Sequence, residues 1–170
     1  MYEITVERWQ EIERRVLATL GDKERKNYIR SMINWTKRKD IATSRVPDTW
    51  EMVEAGDIVF ADFGVTYDME IGAQHLGIVV SIVRGKAFVV PLTSTKKFAW
   101  HDNIMTLKSD CLDHESAVLC NDARFINTSR IIKKIGKADE WEWREIKTYV
   151  LKGILNNGWE EDRQQNEETV

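Results

Sequence analysis

Proline and cysteine are nearly missing from this 170-residue chain, with two of each, and histidine occurs only three times. Two cysteines, Cys111 and Cys120, are too few for a disulfide framework and suit free thiols in a reducing compartment. No apolar run is long enough to cross a bilayer. Residues 2–10 carry Glu3, Glu7 and Arg8 where a secretory leader would be apolar, so a cytoplasmic chain without membrane association is expected. P-loop, dinucleotide fingerprint, serine nucleophile elbow and HExxH are all missing, which leaves nothing pointing to ATP or nicotinamide chemistry. His101, Cys111, His114 and Cys120 lie close in sequence, but only Cys111-x-x-His114 is a close pair. Structural zinc usually shows two such pairs, so neither a metal nor a cofactor is expected.

Positive charge is also in short supply. The net charge is −3, which argues mildly against general nucleic-acid binding. The average hides a distribution: residues 1–50 hold 11 Lys/Arg against 8 Asp/Glu, a net of +3, leaving −6 for the other 120. Within that acidic remainder Lys96, Lys97, Arg124, Arg130, Lys133 and Lys134 form a locally basic set, readable either as a narrow RNA track or as ordinary solvated charge.

What is present begins with helical periodicity. Val6, Trp9, Ile12, Val16, Leu17 and Leu20 recur at helical spacing until Gly21-Asp22, and a second helix is predicted over Lys23–Lys39. Its apolar stripe is Tyr28, Ile29, Met32, Ile33 and Trp35, with Arg25, Lys26, Arg30, Lys37, Arg38 and Lys39 on a basic face. Asp40–Glu54, with Pro47, reads as a linker. The hairpin has three candidate roles: a cap on the rest of the fold, a partner surface, or an RNA-binding face. Trp9, Trp35, Trp141 and Trp143 sit in helical stretches and read as core rather than as base-stacking groups.

Residues 56–97 hold the strands. Gly56-Asp57 turns into the apolar run Ile58–Phe63, a polar loop leads to Leu76–Val83, and Arg84-Gly85-Lys86 closes a tight turn into Ala87–Leu92, so the last two runs form a hairpin. That strand ends in Thr93-Ser94-Thr95-Lys96-Lys97, hydroxyls and ammonium groups at the edge of an apolar sheet, where phosphate can bind. Leu119–Asn127 includes a further strand, Thr128–Lys134 reads as a short helical turn, and a last helix starts near Ala138-Asp139 with Trp141, Ile146, Tyr149, Val150, Ile154 and Leu155 to bury. Short strands joined by turns, flanked by helices and without βαβ spacing, favour an α+β fold built on a small closed or half-open β-barrel. The chain divides into a helical extension over 1–50, a barrel with its terminal helix over 51–160, and a flexible tail over 161–170.

Gly56 to Phe63, GDIVFADF, resembles the opening strand of the MazF/PemK family of toxin endoribonucleases. The following loop aligns without a gap to that family's S-E-Q-G-G-x-R-P loop: Glu70 falls on its glutamate, Gly72 on a glycine, His75 on the arginine and Leu76 on the proline. Gly77 to Lys97, with GIVVSI and then VVPLTSTKK, is similar to the ToxN/AbiQ branch, whose strand ends in P-L-T-S-P-K. Ala123 to Gly136, ARFINTSRIIKKIG, resembles the family's Q-I-R-T-I-D-x-x-R-L-x-x-K-I-G segment. The resemblance covers residues 56–155 in two blocks, and compact family members have no N-terminal helical hairpin. It implies an SH3-like barrel that pairs as a homodimer, a single-stranded RNA substrate, and a cognate antitoxin, usually a small protein, with the ToxN-like features leaving an RNA antitoxin open.

RNA cleavage through the 2′-hydroxyl needs a proton acceptor, a proton donor and donors to hold the phosphorane. His75 is the best single candidate for proton transfer. It replaces the family's catalytic arginine, which either moves the role toward acid/base chemistry or abolishes activity. Thr93 matches the family's catalytic hydroxyl, and Ser94 and Lys96 match the T-S-P-K serine and lysine, so the resemblance makes these three phosphate binders and transition-state stabilisers. Lys97, Trp100, Arg124 and Arg130 are the candidate RNA contacts, Trp100 through stacking. Arg124 and Arg130 have an equal alternative as structural ties, and Glu70 either orients His75 or limits the loop, or is a solvated acid.

The function this implies is the toxin of a toxin–antitoxin system, a metal-independent endoribonuclease that leaves 2′,3′-cyclic phosphate and 5′-hydroxyl ends. The alternative is a nonenzymatic barrel that binds a partner or poisons a protein target, as the CcdB relatives do.

Overall fold

In the computed structural model, residues 5–43, 53–66, 70–94 and 105–156 are described. Two helices lead: α1 (Val6–Thr19), capped by the Thr5 side chain accepting from Arg8 N at 3.2 Å, and α2 (Asp22–Thr43). Strands β1 (Asp57–Asp62), β2 (Gln74–Val83), β3 (Lys86–Thr93), β4 (Thr106–Leu107), β5 (Ser116–Val118), β6 (Arg124–Asn127) and β7 (Ile131–Lys137) follow, and α3 (Glu140–Asn156) closes the described chain. They form one antiparallel sheet in the order β4-β5-β3-β2-β1-β7, with β6 also pairing β3, curled into a half-barrel. The fold is α+β, as the sequence predicts.

The β2–β3 hairpin turns on Arg84 and Gly85, both at positive φ (49° and 74°), the primed turn whose twist matches that of the strands it joins. The outer edge of β3 is shared. β6 pairs with Lys86–Val89 and β5 with Leu92–Thr93, and Pro91, which has no N–H to donate, stands between the two partners. Curling covers both faces of β1–β3, which is why their sequences read as nearly continuous apolar runs. One face packs Ile58, Ile78, Val80, Val90 and Leu92 against Leu107, Ile146 and Val150; the other packs Val59, Ala61, Phe63, Val79 and Val89 against Ile126 and Ile131. An ion pair pins the sheet: the exposed Lys134 reaches in to place Nζ 2.7 Å from Asp57, whose side chain is fully buried.

Three local expectations are corrected. Thr128–Lys134 is a helical turn only over Thr128–Arg130; from Ile131 the chain is β7, because Ile131, Lys133, Lys134, Gly136 and Lys137 pair with β1. α2 runs on to Thr43, so the first four residues of the predicted linker are helical. The apolar stripes of the hairpin are not core: α1 has no buried residue, and Trp9, Ile29, Ile33 and Trp35 are 42–53% exposed. Trp141 is also exposed, while Ile146 and Val150 of the same helix are buried.

α2 instead docks through polar groups. Asp62 accepts from Ser31 Oγ (3.0 Å), Asn34 Nδ2 (2.9 Å) and Gly64 N (2.9 Å), and Arg38 Nη1 donates to the carbonyls of Ser129 and Ile131, both at 2.8 Å. Ser31, Asn34 and Arg38 follow one another at steps of three and four, so they share one side of α2. Among the described residues no helix is long and apolar enough to cross a membrane.

Candidate active site

The end of β1, the start of β2 and the end of β3 meet at one rim of the sheet. Ala61 pairs with His75, and Leu76 with Leu92. One step further along that register sets His75 opposite Thr93, and directly opposed residues of an antiparallel pair project from the same face. Thr93 is 9% exposed and pairs on its other side with Ala117; Ser94, just beyond the strand, is exposed.

His75 is half-buried, and burial holds its imidazole below the ordinary value of 6.5; the charge of Lys23 on α2 pushes the same way, and Asp122 opposes both. The ring is therefore neutral near pH 7, with one nitrogen able to accept a proton. The Glu70 carboxylate lies 4.0 Å from Arg124 Nη1.

Arg124 is the clamp of the loop before β2. Its guanidinium donates to the Ile71 carbonyl and lies 5.4 Å over the Phe63 ring, and Ile71 N donates to Asp122 Oδ1 at 2.9 Å. Phe63 N to the Ala73 carbonyl (2.8 Å) and Ala73 N to the Gly64 carbonyl (2.7 Å) close the loop's neck. Arg130 Nη1 donates to the Asp62 carbonyl at 3.2 Å. Both arginines thus have the structural ties that the sequence offered as one of two readings, and Lys134 of the basic segment is committed to Asp57.

Of the eight predicted site residues, the fold brings His75, Thr93 and Arg124 to this rim, with Ser94 at the strand end. Arg130 sits behind Asp62, in a small cavity with Ser31, Asn34 and Arg38. Lys96, Lys97 and Trp100 lie outside the described residues. Sequence reasoning missed Lys23 and Asp122, whose charges act on His75. A partial signal was there: Lys23, Asn27, Ser31, Asn34 and Arg38 form a polar stripe at helical spacing, distinct from the apolar stripe and the basic face read from the same helix, which marks a docking side without tying Lys23 to His75.

The family of PemK-like, MazF-like toxins of type II toxin–antitoxin systems matches residues 54–153. Comparison with curated proteins gives no match. Among solved structures, MazF of Deinococcus radiodurans is 24% identical with a TM-score of 0.51, the aligned part covering 61% of this chain and 96% of MazF. A MazE–MazF complex from the same organism gives 22% identity, 60% and 95% coverage and a TM-score of 0.48. A mycobacterial endoribonuclease in complex with its cognate antitoxin gives 14%, 60% and 92%, and 0.46. The family match takes in more than half of the chain, from the residue pair before Gly56 through most of α3, and contains the whole rim on which His75, Thr93 and Arg124 converge. The chain belongs to the PemK-like, MazF-like toxins of type II toxin–antitoxin systems.

Proposed function

We propose that this toxin is an endoribonuclease that cuts single-stranded RNA by attack of the 2′-hydroxyl on the adjacent phosphate. What supports the reading is the β2–β3 register, whose last pair, Leu76–Leu92, is flanked by His75 and Thr93, together with the burial that lowers the imidazole pKa. A neutral imidazole takes the 2′-hydroxyl proton as the new P–O2′ bond forms and the P–O5′ bond breaks, leaving a 2′,3′-cyclic phosphate and, once the leaving oxygen is protonated, a 5′-hydroxyl. The Thr93 and Ser94 hydroxyls donate to the phosphorane oxygens, and Lys96 supplies positive charge. Lys97, Trp100, Arg124 and Arg130 hold the strand on either side. No step calls on a metal ion.

A protein antitoxin, of the kind seen with the MazF and mycobacterial relatives, restrains the enzyme, which works as a homodimer in the cytoplasm. Incubation of the purified toxin with a long unstructured RNA in EDTA, beside His75→Ala and Thr93→Ala variants, tests the reading. Cleavage with 5′-hydroxyl ends, lost in both variants, supports it.

The competing reading, a barrel that binds or poisons a protein target, draws on two observations. His75 stands where the family has an arginine, and Arg124 and Arg130 both spend donors on backbone carbonyls. Folded wild-type protein that leaves RNA intact would favour it.

A further inference from the structure

Beside the rim, α2 and residues 64–66 and 70–73 border an open cleft of about 530 Å³, lined by Asn27, Tyr28, Ser31, Thr66, Glu70 and Ala73 among others. Most polar groups in it are spent. Ser31 donates to Asp62, Thr66 Oγ1 donates to the Glu70 carbonyl at 3.3 Å, and Glu24, also on the wall, accepts from Gly21 N. The Asn27 amide and the Tyr28 hydroxyl are different: both are half-buried, and neither has a hydrogen-bond partner among the described residues. They are neighbours on a helix whose position is fixed by Asp62, so the fold presents an aromatic ring and a free amide side by side.

We propose that this cleft is a nucleobase subsite, through which the N-terminal extension reads a base next to the scissile phosphate. The proposal rests on the endoribonuclease reading for the phosphate's place. Three features fit a base rather than a phosphate. Unstacked bases of single-stranded RNA are held by stacking on aromatic rings and by hydrogen bonds to their edges, which Tyr28 and Asn27 supply. The Glu24 and Glu70 carboxylates on the walls repel a phosphate, and each keeps a second oxygen, beside the one facing Gly21 N or Arg124, to accept from an exocyclic amino group. Ala73 on the wall is two residues from His75, about 7 Å along an extended chain, comparable with the step from a phosphate to a neighbouring base. The cleft therefore selects a base carrying an exocyclic amino group over uracil.

Short 2′-O-methyl oligonucleotides that differ in a single base are the probe, since they lack the attacking hydroxyl and report binding alone by fluorescence anisotropy. Oligonucleotides with adenine, cytosine or guanine at that position should bind about tenfold tighter than the uracil version. Asn27→Ala and Tyr28→Ala should remove the preference, Tyr28→Phe should keep the stacking share of it, and Ile33→Ala on the opposite side of α2 should change nothing. Circular dichroism melting checks that each variant is folded. A preference that survives both alanine variants, or no preference in the wild type, overturns the subsite. Cleavage of ordinary RNA separates the two readings: base-selective binding without cleavage keeps the subsite and removes the endoribonuclease, whereas cleavage with unchanged base choice in folded variants does the reverse.

Discussion

Ser31 on α2 donates a 3.0 Å hydrogen bond to the carboxylate of Asp62, the last residue of β1, a residue only 3% exposed. With Asn34 and Gly64 N as its other donors, Asp62 is the post to which the N-terminal extension is tied. Asp62→Ala strands all three donors and should cost about 3 kcal/mol, while Ser31→Ala should cost about 1. Urea unfolding measures both. Amide exchange should show α2 losing protection in Asp62→Ala well before β1–β3; equal loss everywhere would mean that the helix is not held through this residue.

The pH dependence follows from His75. Its folded-state value lies below the unfolded 6.5, so between the two the unfolded chain binds the extra proton, and stability falls as pH drops through that window, levelling off below it. Removing the Lys23 charge with Lys23→Gln should raise the His75 pKa, and Asp122→Asn should lower it. Titration of the histidine Cε1 proton by NMR reads both directions. Under the proposed mechanism the acid limb of the cleavage profile should move with them.

The two thiols should behave differently. Burial pushes the Cys120 thiol up to about 12, so it carries almost no thiolate at pH 8, and it is out of reach of reagents. Alkylation of native protein should modify at most Cys111, and both only in denaturant. Labelling of Cys120 at the native rate of Cys111 would contradict its burial in the cluster with Ile58, Val118 and Val150.

Gly77 shares a strand with His75, two residues on and on the same side. A Cβ there would meet Val89 Cγ1 at 2.6 Å and the Val90 carbonyl at 3.1 Å. Gly77→Ala should destabilise by about 1–3 kcal/mol. The double variant with Val89→Ala should fall short of the sum of the two single losses, because the second change removes the first one's clash. Simple additivity in denaturation midpoints would show that the strand backbone yields instead.

Much of the fold was legible. Alternating and continuous apolar runs bounded by Gly56-Asp57 and Arg84-Gly85 marked β1 to β3, and helical spacing marked α1, α2 and α3. The segment after Arg130 was misread because Ile131-Ile132-Lys133-Lys134 carries apolar and charged pairs that suit either period, and its state is settled by the open edge of β1. The hairpin's inner face was misread for a related reason. Apolar residues at helical spacing announce a core-facing stripe only when a complementary apolar surface exists, and here the neighbouring surface offers a carboxylate and two carbonyls.

The sequence by itself determined the local elements, the hairpin turn and the kinship with the toxin family, since each rests on residues near one another in the chain. Only the tertiary structure decided what surrounds His75. Lys23 and Asp122 are 52 and 47 residues away from it in sequence, and no local pattern ties them to an imidazole. Their influence depends on distance in space and on the loss of water around the ring, both products of sheet curling and of α2 being anchored at Asp62.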